Sequence, residues 1–169
     1  MKKTNNKGLS YVELILVIGI LVIATGIVSL SIGIISRNNV TAAVNKIDVA
    51  FKRAQSSSMA KGDKAGALVF FCENGSLYYK IGVDSSEKNK VATGPVKVKF
   101  GSLELGNGEN ITYMYNQATG SVSSSGTYDF GSGSYTSSGG VASYVNVENN
   151  SHTQHIHLIP QTGKTIIND

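Results

Sequence analysis

The sequence predicts an α+β protein in which one long amino-terminal helix leads into a small, mainly antiparallel β-rich domain. Three observations predict this class. Residues 14–35 form an uncharged apolar run, residues 40–54 carry apolar side chains at helical spacing, and from residue 67 onward the apolar period changes from 3.6 to 2. Many strands follow a single helix without alternating with further helices, so we expect the sheet to be mainly antiparallel.

The first half of the helix is predicted to cross a membrane. The uncharged run has 22 residues, which as a helix would be roughly 33 Å long, enough for a hydrocarbon core of about 30 Å. Lys2, Lys3 and Lys7 precede the run, and the positive-inside rule then keeps the amino terminus in the cytoplasm. We therefore expect residues 9–36 to form a single transmembrane pass.

The second half of the helix is predicted to be amphipathic. Apolar residues recur three and four positions apart and form one stripe: Val40, Ala43, Val44, Ile47, Ala50, Phe51 and Ala54. Gly62 and Asp63 form a stop signal. The pattern predicts one helix over residues 10–61, in which residues 37–62 are the amphipathic continuation and the stripe covers one face of the sheet.

Residues 63–169 are predicted to form the β-rich domain. Strand-like runs occupy residues 67–72, 76–83, 96–100, 111–115, 141–147, 155–159 and 164–168. Asn74-Gly75 between the first two runs predicts a hairpin. Residues 120–140 are mostly Gly and Ser, and this composition leaves a mobile loop and a weak edge hairpin both open.

Charge and cysteine content exclude several classes. The net charge is +4, but without the three leader lysines the chain has 12 basic and 11 acidic side chains, so a strongly basic nucleic-acid-binding domain is not indicated. Cys72 is the only cysteine, which excludes an intramolecular disulfide. Its apolar neighbours predict a buried packing thiol.

Glu13 is the feature that needs an explanation, because it lies at the start of the apolar run. A charge at the centre of a bilayer costs about 2.5–3.5 kcal/mol. One alternative is a secretory signal peptide cut after Ser31, which would release a protein beginning near Ile32. Glu13 would have no use in a discarded signal, and the amphipathic stripe follows the run without a break. A cut before the run is therefore favoured.

The residues around that earlier cut resemble a known signal. A short basic leader ends at Gly8, Leu9 follows, and Glu13 is the fifth residue after the cut. This arrangement resembles the type IV prepilin signal of pilins and of type II secretion pseudopilins. The resemblance implies that a prepilin peptidase cuts after Gly8 and methylates the new amino terminus at Leu9. Residues 1–8 would be the leader peptide. Leu9 departs from the family's usual phenylalanine, and the family's proline in the middle of the apolar helix is missing.

The rest of the chain is similar to the GspH/FimT-like branch of minor pilins. The similarity rests on residues 54–62 and on two strand-then-turn units, residues 111–120 and 156–163, each of which ends in Thr-Gly. The resemblance implies a pilin fold and a structural subunit that is not an enzyme. Its partners would be other pilin or pseudopilin subunits, the prepilin peptidase and an inner-membrane assembly platform. The subunit would move from the cytoplasmic membrane into an extracytoplasmic filament at the cell surface.

Within such a filament, our hypothesis is that Glu13 accepts the positive amino terminus at Leu9 of a neighbouring subunit. An alternative function is a filament-borne binding module, an adhesin or a DNA-uptake pilin, whose contacts lie in residues 120–140. The basic carboxy-terminal motif of DNA-binding relatives does not carry over, because Lys164 is the only lysine or arginine after Lys99. A nucleic-acid partner is therefore compatible with the family but not indicated by this chain.

The sequence gives only a weak indication of metal binding and none of catalysis. His155 and His157 would share one strand face and are the weak candidates for metal ligands, but no cysteine or acid lies in their segment to complete a set. No nucleophile–base pair, phosphate loop or catalytic carboxylate pair is recognisable. We therefore predict no catalytic residues, no metal and no cofactor.

Overall fold

The computed structural model describes residues 10–92, 96–150 and 152–168. Within its long helix it describes the side chains of residues 11–25, 35 and 37–61. The chain divides into two compact units, Met1–Ile35 and Ser36–Asp169. Helix α1 extends over Tyr11–Lys61, and the short helix α2 follows over Asp63–Gly66. The predicted helix covered residues 10–61.

The predicted fold class is wrong in its transmembrane half. Within the part of the chain that the structure describes, no helix has a stretch both long and apolar enough to cross a membrane. This finding does not fit the single transmembrane pass predicted over residues 9–36.

The second unit is built around two antiparallel sheets. Eleven strands are described: β1 Leu68–Glu73, β2 Ser76–Ile81, β3 Asn89–Lys90, β4 Lys97–Phe100, β5 Leu103–Glu104, β6 Asn110–Tyr115, β7 Val122–Asp129, β8 Ser134–Ser137, β9 Tyr144–Glu148, β10 Thr153–Ile159 and β11 Lys164–Asn168. The six-stranded sheet has the order β3-β2-β1-β6-β7-β8, and the five-stranded sheet has the order β11-β10-β9-β4-β5. The domain is thus mainly β, as predicted.

The hairpin between β1 and β2 forms at the predicted turn. Glu73 pairs with Ser76, so only two residues connect the strands. Those two residues, Asn74 and Gly75, have φ angles of 51° and 69°. Positive φ at both central positions is typical of a type I′ turn, for which Asn-Gly is the preferred dipeptide.

The amphipathic stripe of α1 is buried as predicted, in an apolar cluster that also includes residues of both sheets. All seven residues of the stripe are at most 1% exposed. The Phe51 ring lies 5.0 Å from that of Tyr113 and 5.8 Å from that of Phe70, both in the six-stranded sheet. Phe70 in turn lies 4.9 Å from Phe100 of the five-stranded sheet. One apolar cluster therefore joins the helix and the inner faces of both sheets.

Most of residues 120–140 belong to a hairpin, formed by β7 and β8, at one edge of the six-stranded sheet. Small residues are required at this pairing. A Cβ atom on Gly126 would lie 2.1 Å from the Thr136 carbonyl oxygen. Ser125 is buried, and its hydroxyl donates to the Gly140 carbonyl at 3.0 Å. The Gly/Ser composition thus reflects close strand packing.

Candidate functional site

The predicted processing site lies outside the described residues. This applies to Gly8 and Leu9, the cleavage and methylation positions, and to the leader lysines Lys2, Lys3 and Lys7. The structural description of the amino-terminal region therefore begins after the predicted cut, at residue 10.

The start of α1 presents an apolar surface on all sides. Over residues 11–23, more than three helical turns, eleven large apolar side chains are between 43% and 77% exposed: Tyr11, Val12, Leu14, Ile15, Leu16, Val17, Ile18, Ile20, Leu21, Val22 and Ile23. We call residues 11–23 the apolar segment. An exposed apolar surface of this kind is typical of an interaction site.

Glu13 lies in the first turn of α1 and is exposed. It is the only charged residue between Lys7 and Arg37. Among the residues that the structure describes, no lysine, arginine or histidine nitrogen lies within ion-pair distance of its carboxylate. The positive end of the helix dipole favours an acid at this position, which is a local role that needs no partner.

The two candidate metal ligands lie on the outer face of the five-stranded sheet, and each contacts a different neighbour on β9. His155 Nδ1 lies 2.8 Å from the Asn146 side-chain oxygen. The His157 ring stacks on Tyr144 with the ring centroids 4.4 Å apart. Within the described part of the chain, no three His, Cys, Asp or Glu side chains form a group that could hold a metal ion. The geometry therefore favours cross-strand packing for these histidines.

Three segments that the sequence singled out separately meet at Gln55. Its side-chain nitrogen donates to the Gly120 carbonyl and to the Thr162 carbonyl, both at 2.8 Å. These carbonyls belong to the turns after β6 and after β10. One amide on α1 thus connects the helix to a turn from each sheet.

A cavity of about 380 Å³ lies on the face of the six-stranded sheet opposite the core. Phe71, Cys72, Lys80, Lys88, Asn110 and Phe130 are among the residues that line it, and we call it the Lys80 pocket. Register explains this grouping. Phe71 on β1 pairs with Tyr78 on β2 and with Asn110 on β6, so these side chains project from the same face. Phe130 reaches the pocket from the end of β7.

The two lysines of the pocket differ in their partners. Lys88 forms an ion pair with Glu73 at 2.5 Å, and its ammonium lies 5.4 Å from the Tyr78 ring centroid. Lys80 donates to the Val83 carbonyl at 3.0 Å and lies 4.1 Å from the Phe130 ring centroid. Burial lowers the pKa of Lys80, an effect that the charge of Asp84 partly offsets. The Lys88 pKa is raised, mainly by its hydrogen bond to Glu73.

Sequence reasoning missed this pocket. Tyr78 and Lys80 are two residues apart in a predicted strand, a spacing that puts them on one face, but nothing in the sequence indicated that Phe130 would return to that face. The prediction that Cys72 is a buried packing thiol is wrong, because Cys72 is only half-buried.

We compared the chain with known protein families, curated proteins and solved structures. No protein-family model, no curated protein and no solved structure matches this chain.

Proposed function

We propose that this protein is a structural subunit of a type IV pilus or of a related pseudopilus, of the minor GspH/FimT-like kind. The observation that supports the proposal best is the apolar segment with its single carboxylate. A helix that is apolar on all sides needs partners around its whole circumference. A filament provides them, because each subunit's apolar segment packs against those of its neighbours.

The hydrophobic effect gives such packing a large driving force. Full burial of one Val, Leu or Ile side chain contributes about 1.5–3 kcal/mol, and the apolar segment offers eleven large apolar side chains that are exposed in one chain. Ordering of the subunits opposes this gain. A repeated apolar contact of this size is suited to a stable polymer at the cell surface.

Glu13 would set the register of the polymer. A prepilin peptidase that cuts after Gly8 creates a positive amino terminus at Leu9 on every subunit. In a dry filament core, a paired charge adds little net stability over an apolar contact, whereas one left unpaired costs about 3–5 kcal/mol. Subunits would therefore assemble only where Glu13 of one meets the amino terminus of another.

The test is a Glu13→Ala variant expressed in place of the wild-type chain. We expect normal protein levels and an intact second unit, but at least a tenfold loss from the sheared filament fraction. Glu87→Ala is the matched control, because Glu87 is an exposed acid in the second unit and should have no effect. Normal incorporation of Glu13→Ala would overturn the pairing.

A second candidate function is a filament-borne binding module, an adhesin or an uptake subunit, that makes contact through residues 120–140. The observation in its favour is Phe130, which is 48% exposed at the end of β7 and lies at the mouth of a cavity. Deletion of the whole segment would remove two strands of the sheet. Phe130→Ala is the appropriate test, since a binding module should then still assemble but lose its binding.

A further inference from the structure

The Lys80 pocket has the dimensions of a small-molecule site. Its volume of about 380 Å³ is near the lower end of the range for ligand pockets, about 300–1,000 Å³. All its lining residues belong to the second unit. Ligand binding in this pocket is therefore independent of whether the chain assembles into filaments.

Lys80 is the group that gives the pocket a chemical preference. Its ammonium has three hydrogens, and one of them is donated to the Val83 carbonyl. Among the described residues, no carboxylate oxygen lies within 4 Å of it, and Asp84 acts only at longer range. By contrast, Lys88 is already neutralised by Glu73. The pocket therefore contains one cation whose charge no adjacent acid balances.

Two aromatic side chains, Phe71 and Phe130, contribute to the other walls, beside Ser85, Ser86 and Asn110. Phe71 stacks on Tyr78 with the ring centroids 5.8 Å apart, so its ring is held in place by a neighbouring strand. Phe130 faces Tyr128 edge-on at 5.2 Å and also contacts the Lys80 ammonium. These contacts hold two aromatic rings beside a charged group.

We propose that the Lys80 pocket binds a small organic carboxylate with an aromatic or other planar apolar body. The carboxylate accepts hydrogen bonds from the free hydrogens of the Lys80 ammonium, and the apolar body packs on Phe71 and Phe130. The lining lysines and Glu73 sum to one positive charge, so a monoanion leaves the pocket neutral. A cationic ligand would face two ammonium groups, and a neutral one would leave the Lys80 charge partly desolvated.

Nuclear magnetic resonance titration of the full chain tests this proposal with two matched probes, 3-phenylpropionate and its neutral amide. We expect the acid to shift the resonances of Phe71, Lys80 and Phe130 and to bind at least tenfold more tightly than the amide. Lys80→Met should reduce the affinity for the acid at least tenfold. Lys164→Met, which removes an exposed lysine from the other sheet, should leave the affinity unchanged.

Equal affinity for the acid and the amide, or shifts centred outside the pocket, would overturn the proposal. So would undiminished binding by a folded Lys80→Met variant.

Discussion

At the scale of single residues, Gln55 connects parts of the second unit that are far apart in sequence. Its amide nitrogen donates to the carbonyls of Gly120 and Thr162, which are 65 and 107 positions away along the chain. A single side chain thus holds a turn of each sheet against α1. Substitution of Gln55 by an apolar residue would remove the donor of both carbonyls.

We predict that Gln55→Leu lowers the free energy of unfolding by about 1–3 kcal/mol, the usual cost of leaving partly buried polar groups unpaired. Denaturation by urea measures this change. Gln161→Leu is the control, because Gln161 is an exposed residue of the turn that Gln55 contacts. Equal stability of the two variants would show that the Gln55 hydrogen bonds contribute nothing.

The ion pair between Lys99 and Glu148 gives a pH-dependent prediction. The nitrogen and oxygen are 2.6 Å apart, and the hydrogen bond and charge of Lys99 lower the pKa of Glu148 below its usual 4.5. The pair therefore stabilises the fold above the unfolded pKa and loses this effect as the pH falls through the lowered, folded pKa.

Lys99→Met should raise the pKa of Glu148 toward 4.5 and weaken the acid dependence of stability. Carboxyl chemical shifts followed through an acid titration measure the pKa. Lys97→Met is the comparison variant and should give a smaller shift, because Lys97 is the weakest of the influences on Glu148. A larger shift from Lys97→Met would contradict this assignment.

Residue-level prediction from sequence succeeded where the signal was local. The turn at Asn74-Gly75 was predictable because two adjacent residues must both adopt positive φ. The Lys80 pocket was not, because Phe130 reaches Lys80 only through the successive pairing of β2 with β1, β1 with β6 and β6 with β7. Register over such distances depends on the whole sheet and cannot be read from periodicity.

At the scale of elements, the hairpin of β7 and β8 depends on close backbone packing. Gly126 pairs with Thr112 on one side and with Ser137 on the other. The short distance from its ideal Cβ position to the Thr136 carbonyl leaves no room for a methyl group. Periodicity could not predict this strand firmly, because serine and glycine give no apolar alternation.

We predict that Gly126→Ala separates β8 from β7 and destabilises the domain by about 1–3 kcal/mol, as overpacking usually does. Hydrogen exchange should accelerate at Ser134–Ser137. Gly140→Ala is a matched control, because nothing lies within 4 Å of an added Cβ there. If the β8 amides exchange equally slowly in both variants, the close packing at Gly126 is not needed for the pairing of β8 with β7.

The helix illustrates both a success and an error of element-level prediction. The stripe from Val40 to Ala54 was predictable because its spacing is helical and every member became buried. The transmembrane assignment counted the uncharged residues 14–35 as one span. No described helix has the combined length and apolar character to cross a membrane. The absence of charged residues in this run was therefore not sufficient to assign a transmembrane helix.

At the scale of the whole molecule, the two units have different proposed roles. The first unit carries an apolar segment that needs partners, and the second unit carries a closed core with a pocket on its outer sheet face. Each task has its own test, because Glu13 and Lys80 lie in different units. Glu13→Ala should lose assembly and keep ligand binding, whereas Lys80→Met should lose ligand binding and keep assembly.

The most direct test of the central claim is the intact mass of this chain isolated from sheared surface filaments. We predict that the chain is present in that fraction, begins at Leu9 and carries one added methyl group at its amino terminus. A chain in the fraction that still begins at Met1, or a chain that begins near Ile32 and is found only outside the filaments, would contradict it.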